Sequence, residues 1–184
     1  MTRPEITLGR KSGVAALAKR LAGLGKLAAY VGIPSDATER SSQLLEMAGK
    51  TKSKKKRARL TSIAESDVSN AELLYIHTKG SPLKHIPARP VLEPATEAEP
   101  NKHIIARELA ASVKANLAGD KPGAEAKMMR AALAGQNAAR GWFTDDRNGW
   151  ESNKPATIAA KGSDRPLIDT GALRASIIGL VRED

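Results

Sequence analysis

The side chain with the strongest catalytic appearance is Asp169, in the run Leu167-Ile-Asp-Thr-Gly-Ala. A carboxylate on an Asp-Thr-Gly loop could share a proton with a second carboxylate and activate water for peptide hydrolysis. Ile177-Ile-Gly179 mimics the glycine-bearing stretch that such a site needs further along. The spacing defeats this reading. Strand and flap must separate the two stretches by far more than the handful of residues present, and no second Asp-Thr-Gly exists for an internal dyad. Helix capping accounts for the residues better. Asp169 or Thr170, beside Gly171, can offer a side-chain oxygen to an orphan N–H at the start of a short helix through Leu173 and Arg174.

Other candidates for chemistry are equally thin. His77, His85 and His103 have no helix-face or finger spacing, and the chain contains no cysteine, so no zinc motif is present. His77 is expected at a helix end, interacting with the dipole. Asp145-Asp146 sits in a glycine-rich stretch where turn formation explains acidic residues. Glycine-rich phosphate loops and Ser/His/Asp constellations are missing. The sequence asks for no catalytic residue, no cofactor and no metal.

The net charge of +10 points to nucleic acid until it is located. Lys50 to Arg59 reads KTKSKKKRAR, and removing its seven positive charges from +10 leaves +3. The candidate contacts are Lys52, Lys54, Lys55, Lys56, Arg57 and Arg59. With Ser, Lys and Arg dominant, residues 50–61 are expected to be a mobile basic loop. It could touch DNA phosphates, dock on an acidic partner or stay solvated. Seven neutralised phosphates would give a log–log salt slope of about −6. No aromatic interrupts the run, so stacking on single-stranded bases has no support.

Aromatics are 3% of the chain, and three of them fall in Gly141–Trp150. Trp142, Phe143 and Trp150 are either a small core under that loop or anchors at an interface. A second candidate contact is the proline-bearing segment with Ile86, Pro87, Arg89, Pro90 and Leu92. Its fixed backbone could offer edge groups to a neighbour.

These residues need elements to hold them. Ser12 to Leu24 carries Val14, Leu17, Leu21 and Leu24 at helical spacing, with Lys19 and Arg20 opposite. Leu27–Ile33 is short, apolar and stopped by Pro34, so it reads as a strand. Ser41 to Met47 makes a helical turn. Ser69-Asn-Ala-Glu72 is a capping box opening a helix through His77 that Gly80 ends. Asn101–Ala118 aligns Ile105, Leu109, Val113 and Leu117 and is closed by Gly119. Pro122 starts another helix with Met128, Met129, Ala132, Leu133 and Gln136 on its stripe and Gly141 beyond its end. Those two form an αα-hairpin over 101–140. Pro155 suits the first position of a short helix and Gly162 its left-handed end. Ala175–Val181 is apolar and β-branched, a terminal strand whose best partner is Leu27–Ile33.

The expected fold is α+β in one domain, residues 1–184. A small mixed or antiparallel sheet (27–33, part of 81–90, 175–181) is covered on one face by helices. Apolar residues make up 41% of the chain, enough for a core. No apolar run approaches the roughly 20 residues that span a bilayer, and the N-terminal residues lack the apolar centre of a secretion signal. Use without export and without a membrane is the expectation.

Two blocks carry a resemblance. One is Pro155-Ala-Thr-Ile, Lys161-Gly-Ser and Pro166-Leu-Ile-Asp-Thr-Gly-Ala-Leu-Arg-Ala-Ser-Ile. The other is Asn70-Ala-Glu-Leu-Leu-Tyr-Ile-His77, Gly80-Ser and Ile86-Pro-Ala-Arg-Pro-Val-Leu92. Together they cover roughly a third of the chain. This pair, in this order, resembles the tail-completion, or neck, proteins of long-tailed double-stranded DNA bacteriophages. The chain departs from the family at Thr78-Lys79, where an acid and an aromatic are common. The resemblance implies a structural virion protein rather than an enzyme. It would be a hexameric ring between the head connector and the tail tube or tail terminator, lining the DNA exit channel in transient contact with the genome. The alternatives are a tail-terminator ring capping the tube and a nucleic-acid-binding protein acting through residues 50–59.

Overall fold

The computed structural model describes residues 15, 16, 18–22, 27–34, 40–65 and 68–183. It is an α+β fold, mostly helical, with a two-stranded antiparallel sheet among the described residues. Strand β1 (Leu27–Gly32) pairs with β2 (Ile178–Glu183), from Leu27 opposite Glu183 to Gly32 opposite Ile178. Between them run α1 (Arg40–Lys50), α2 (Lys54–Ala64), α3 (Asn70–Lys79), α4 (Leu92–Glu97), α5 (Asn101–Ala118), α6 (Lys121–Trp142), α7 (Pro155–Lys161) and α8 (Ala172–Ser176).

Helix α6 is the spine, and it carries small residues on the side that meets the sheet. Ala124, Met128, Ala131, Ala132, Gly135, Ala138, Ala139 and Trp142 are its buried face. A Cβ at Gly135 would come within 2.7 Å of a Val31 methyl, and one at Gly179 within 2.2 Å of the Ala132 carbonyl oxygen. Glycine is therefore what allows the sheet to lie on the helix. Polar side chains fix the register. Gln136 accepts from the Gly179 N–H at 2.9 Å, and Arg140 donates to the Ile177 and Ala175 carbonyls at 2.9 and 2.7 Å. Helix α5 lies alongside, with the buried Ser112 hydroxyl donating to the Ala124 carbonyl at 2.7 Å. The main core holds Leu74, Val91, Ala95, Ala138, Ala139, Trp142, Phe143, Leu173 and Ile177.

Several expectations hold. The αα-hairpin is α5 and α6, with Gly119 left-handed at the end of α5 (φ 91°) and proline in the first turn of α6. Pro155 opens α7 and Gly162 ends it at φ 73°. The pairing of the terminal strand with residues 27–32 is as expected. Of the helix expected over Ser12–Leu24, residues 15, 16 and 18–22 are helical, and Val14, Leu17 and Leu24 lie outside the described residues.

Other expectations are corrected. The basic loop expected over 50–61 is mostly helix α2, with Thr51–Ser53 as its turn. Ser53 caps it by accepting from the Lys56 N–H, and Leu60 and Ala64 pack on Leu44 and Ala48 of α1. Apolar side chains four apart on each helix make one stripe, and Lys and Arg are good helix formers, so a lysine-rich segment orders here. Residues 81–90 do not join the sheet. Ser81 and Ile86 form a lone bridge around a 3₁₀ turn at Pro82–Lys84. Pro82, Pro87 and Pro90 lack the N–H groups a ladder needs. The terminal strand starts at Ile178 rather than Ala175, because α8 runs on to Ser176, whose hydroxyl donates to the Leu173 carbonyl at 2.8 Å. Helix α6 includes Gly141, and Met129 and Leu133 of its expected stripe are exposed.

Candidate binding cleft

Helix α3 begins at the expected capping box. The Ser69 hydroxyl accepts from the Glu72 N–H at 3.1 Å, and the Glu72 carboxylate accepts from the Ser69 N–H at 2.8 Å. The Ser69 N–H and then the Ser69 hydroxyl, both donating to that carboxylate, hold it below its usual range. The box fixes Asn70 in the first turn, buried at 2% exposure. His77 lies seven residues on, two turns along the same face. Gly80 then reverses the chain at φ 72°, where a Cβ would lie 2.8 Å from the Ala88 nitrogen. Only glycine fits so close an approach with a positive φ. The returning segment donates from the Arg89 N–H to the His77 carbonyl at 2.6 Å.

Between α3, this returning segment, residues 151–154, α7, the loop before α8 and the start of α8 lies a cleft of about 400 Å³, which Leu44 of α1 and Ile63 of α2 also line. Arg89 is 6% exposed and donates from Nη2 to the Glu151 carbonyl at 2.7 Å. Its Nε, the Asn70 Oδ1 and the His77 Nδ1 are buried with no hydrogen-bond partner. Lys84, Lys154 and Lys161 also line the cleft, against the carboxylates of Glu151 and Asp169. Lys154 and Lys161 donate to the His85 and Arg165 carbonyls at 3.5 and 2.6 Å. Two lining residues, His85 (φ 51°) and Leu167 (φ 56°), adopt the left-handed backbone that non-glycine residues rarely take.

The electrostatics follow from burial. His77 is pushed below its ordinary value by burial first and then by the Arg89 and Lys161 charges. It lies in the last turn of α3, the helix end expected for it, and the downward shift favours the neutral imidazole there. Burial also lowers Arg89, with Glu151 opposing, and lowers Lys161, with Asp169 opposing and Arg89 and Arg59 adding to the effect.

Asp169 does not cap α8. Its two oxygens accept from the Arg59 guanidinium at 2.8 and 3.2 Å, and Arg59 also donates to the Ala160 carbonyl at 3.0 Å. The carboxylate thus faces a guanidinium, where a proton-sharing dyad would need a second carboxyl. Gly171, at φ 83°, occupies the cap position without a side-chain bond, and Thr170 Oγ1 accepts from the Ala172 N–H at 3.2 Å. Asp145 makes the expected turn. It accepts from the Arg147 guanidinium and then from the Arg147 N–H, which hold its carboxyl down at about 2.

The cleft gathers Ile86, Pro87, Arg89, Asp169, Thr170 and Gly171 from the residues singled out in the sequence. It does not gather the aromatic trio. Trp142 and Phe143 are core residues, so their assignment to an interface is corrected, and Phe143 meets Trp150 edge-on with ring centres 5.8 Å apart. Trp150 is half-buried and donates from Nε1 to the Pro90 carbonyl at 3.2 Å. Of the proline-bearing segment, Ala88 and Pro90 are exposed and Ile86 and Pro87 half-buried, whereas Arg89 and Val91 are buried and Leu92 packs against the core. Lys52, Lys54, Lys55, Lys56 and Arg57 are exposed on or just before α2, away from the cleft. Sequence reasoning missed Asn70, Lys154 and Lys161. Asn70 was visible only as a polar residue directly after a cap, a place usually read as solvent-facing.

His77 and His85 line the cleft, whereas His103 is exposed on α5. Among the described residues no group of three His, Cys, Asp or Glu side chains could hold a metal, and no helix is long and apolar enough to cross a membrane. Comparison with protein-family models, curated proteins and solved structures finds no match to this chain.

Proposed function

We propose that this chain is a structural subunit of a bacteriophage neck, a tail-completion protein that assembles with its own copies into a hexameric ring joining the head connector to the tail tube. One observation carries the reading. The two sequence blocks that bear the resemblance, separated by more than sixty residues, fold against each other as one unit around the cleft. A chance match of two short segments gives no reason for them to meet.

Exposed apolar side chains on the same unit support an assembly role. Leu83, at the tip of the 3₁₀ turn, is 96% exposed, and Tyr75, on the outer face of α3, is 66% exposed. Large apolar groups held out by a rigid frame are what an interface core uses. A closed ring needs two different complementary surfaces on each subunit, and Tyr75 with Leu83 would form one of them. The work of such a subunit is adhesive and mechanical, and its place is the virion.

Mass analysis of finished virus particles tests this, together with native mass spectrometry of the protein alone and with connector and tail proteins. Presence in particles and a ring on its template are expected. A protein absent from particles and monomeric with every neighbour overturns the reading. A second reading rests on the exposed lysines of α2, which could meet DNA phosphates. Replacing Lys54, Lys55 and Lys56 by Gln should then flatten the log–log salt slope of DNA binding by about 3. A slope that does not move removes DNA contact by α2.

A further inference from the structure

We propose that the cleft is a receptor for an acidic, extended peptide segment of another protein chain. The inference goes beyond the neck reading and does not depend on it, because it concerns what the cleft recognises and not how copies assemble.

Three features converge. The first is an unmet need for partners. Arg89 and Asn70 are each more than nine-tenths buried and line the cleft, yet Arg89 Nε and Asn70 Oδ1 have no hydrogen-bond partner. A buried polar group left unpaired is destabilising, so a bound group that reorders these side chains and satisfies them removes that cost. The second is charge. Lys84, Arg89, Lys154 and Lys161 outnumber Glu151 and Asp169, and Asp169 is already taken by Arg59. The balance favours an anion, and the planar guanidinium of Arg89 suits a carboxylate. The third is mixed lining. Leu73, Ile86, Pro87 and Leu167 give the cleft apolar walls, and its volume lies within the roughly 300–1,000 Å³ of ligand pockets.

Phosphate alone fits less well. Its P–OH can donate to the Asn70 carbonyl oxygen, but it buries no apolar surface against the cleft walls. An extended peptide brings a backbone N–H for Asn70, a carboxylate for Arg89 and Lys161, and apolar side chains for the walls. The positive φ angles at His85 and Leu167 fit a frame held in advance of its ligand, since backbone strain of this kind gathers at binding sites.

The test is a titration of the isotopically labelled full chain, followed by amide and Arg Nε signals in NMR. The probes are an acetylated, amidated Leu-Glu-Leu-Asp-Leu peptide, its Gln/Asn counterpart, and inorganic phosphate. Saturable shifts at Asn70, His77, Arg89 and Gly171 are expected with the acidic peptide, with binding about tenfold weaker for the amide counterpart, as loss of a charge-assisted bond implies. Lys161→Gln should weaken the acidic peptide about fivefold with thermal unfolding unchanged, while Leu83→Ser leaves binding as it was. Arg89→Lys, which keeps the charge and loses the fork, should weaken it more than Lys161→Gln. No saturable shift, equal binding of both peptides, or phosphate binding the same residues as tightly as the acidic peptide would each overturn the proposal. A ring that forms while the peptide fails to bind would leave the neck reading standing and this one refuted.

Discussion

The cradle around the cleft and the α1–α2 hairpin are stabilised in opposite ways. The cradle sits on a core of Trp142, Phe143, Ile177, Val91 and Leu173 and is crossed by side-chain-to-backbone bonds from Arg140, Arg174 and Gln136. The hairpin is held by Leu44, Ala48, Leu60 and Ala64, with Ile63 beside them and lysines on its outside. Both are ordered, but they bury very different amounts of surface. At roughly 25 cal/mol per Å² of apolar area removed from water, large aromatics and branched residues dominate the total. The comparison teaches that order and stability are separate properties. A few apolar positions at the right spacing fix a basic segment as helix, yet they leave it the part that opens at least cost.

Truncating each core sharpens that contrast. Ile177→Ala removes a fully buried side chain at the meeting of α3, α6 and α8. It should lower global stability by about 2–5 kcal/mol, read from urea unfolding. Leu60→Ala deletes a buried side chain of similar size from the small cluster. Its cost to global unfolding should be smaller, about 1–2 kcal/mol, because the hairpin can come away before the rest. Hydrogen exchange should show amides of 54–64 losing protection while those of α6 keep theirs. Equal losses in both regions would make the molecule one cooperative unit and end the distinction.

The same contrast explains what could be read from the sequence. Caps and breakers were legible because their chemistry is local. Ser69 with Glu72, Gly80, Gly119, Pro155 and Gly162 each act within a few residues of themselves. The pairing of β1 with β2 was legible because an apolar terminal strand needs a mate. Helix α2 was not, since its order depends on α1, and composition alone favours disorder for a lysine run. Nor was the role of Asp169, because its partner Arg59 lies 110 residues away and a cap was the nearer explanation. The cleft was half legible. Both of its halves stood out as sequence blocks and Arg89 among the candidate contacts, but its burial and the place of Asn70 emerge only when those halves are folded together.

Acidity should act on the cradle and leave the hairpin's own contacts alone. The groups facing His77 are Arg89 and Lys161, both positive, and its folded value lies below the ordinary value near 6.5. As pH falls, the unfolded chain therefore takes up the proton first. The stability held at this site is complete above about pH 6.5 and is lost as pH falls from there through the folded value, at up to about 1.4 kcal/mol per pH unit. His77→Gln should remove that part of the slope in unfolding measured between about pH 7.5 and 5. An unchanged slope would mean that His77 binds its proton equally in the folded and unfolded chain.

The smallest effect is the one that joins the two regions. Arg59 belongs to the basic run and Asp169 to the cradle, and each is about two-thirds buried at 35% and 32% exposure. A partly exposed pair of this kind contributes about 0.2–1 kcal/mol, near the upper end when it is bidentate. A double-mutant cycle with Arg59→Gln and Asp169→Asn should return a coupling of that size. The cycle also separates two roles for the aspartate. A tether makes Asp169→Asn nearly silent once Arg59 is gone, whereas a cap of α8 makes the substitution equally costly in both backgrounds. Silence is expected, because the α8 cap position is held by Gly171 and the nearest side-chain bond comes from Thr170.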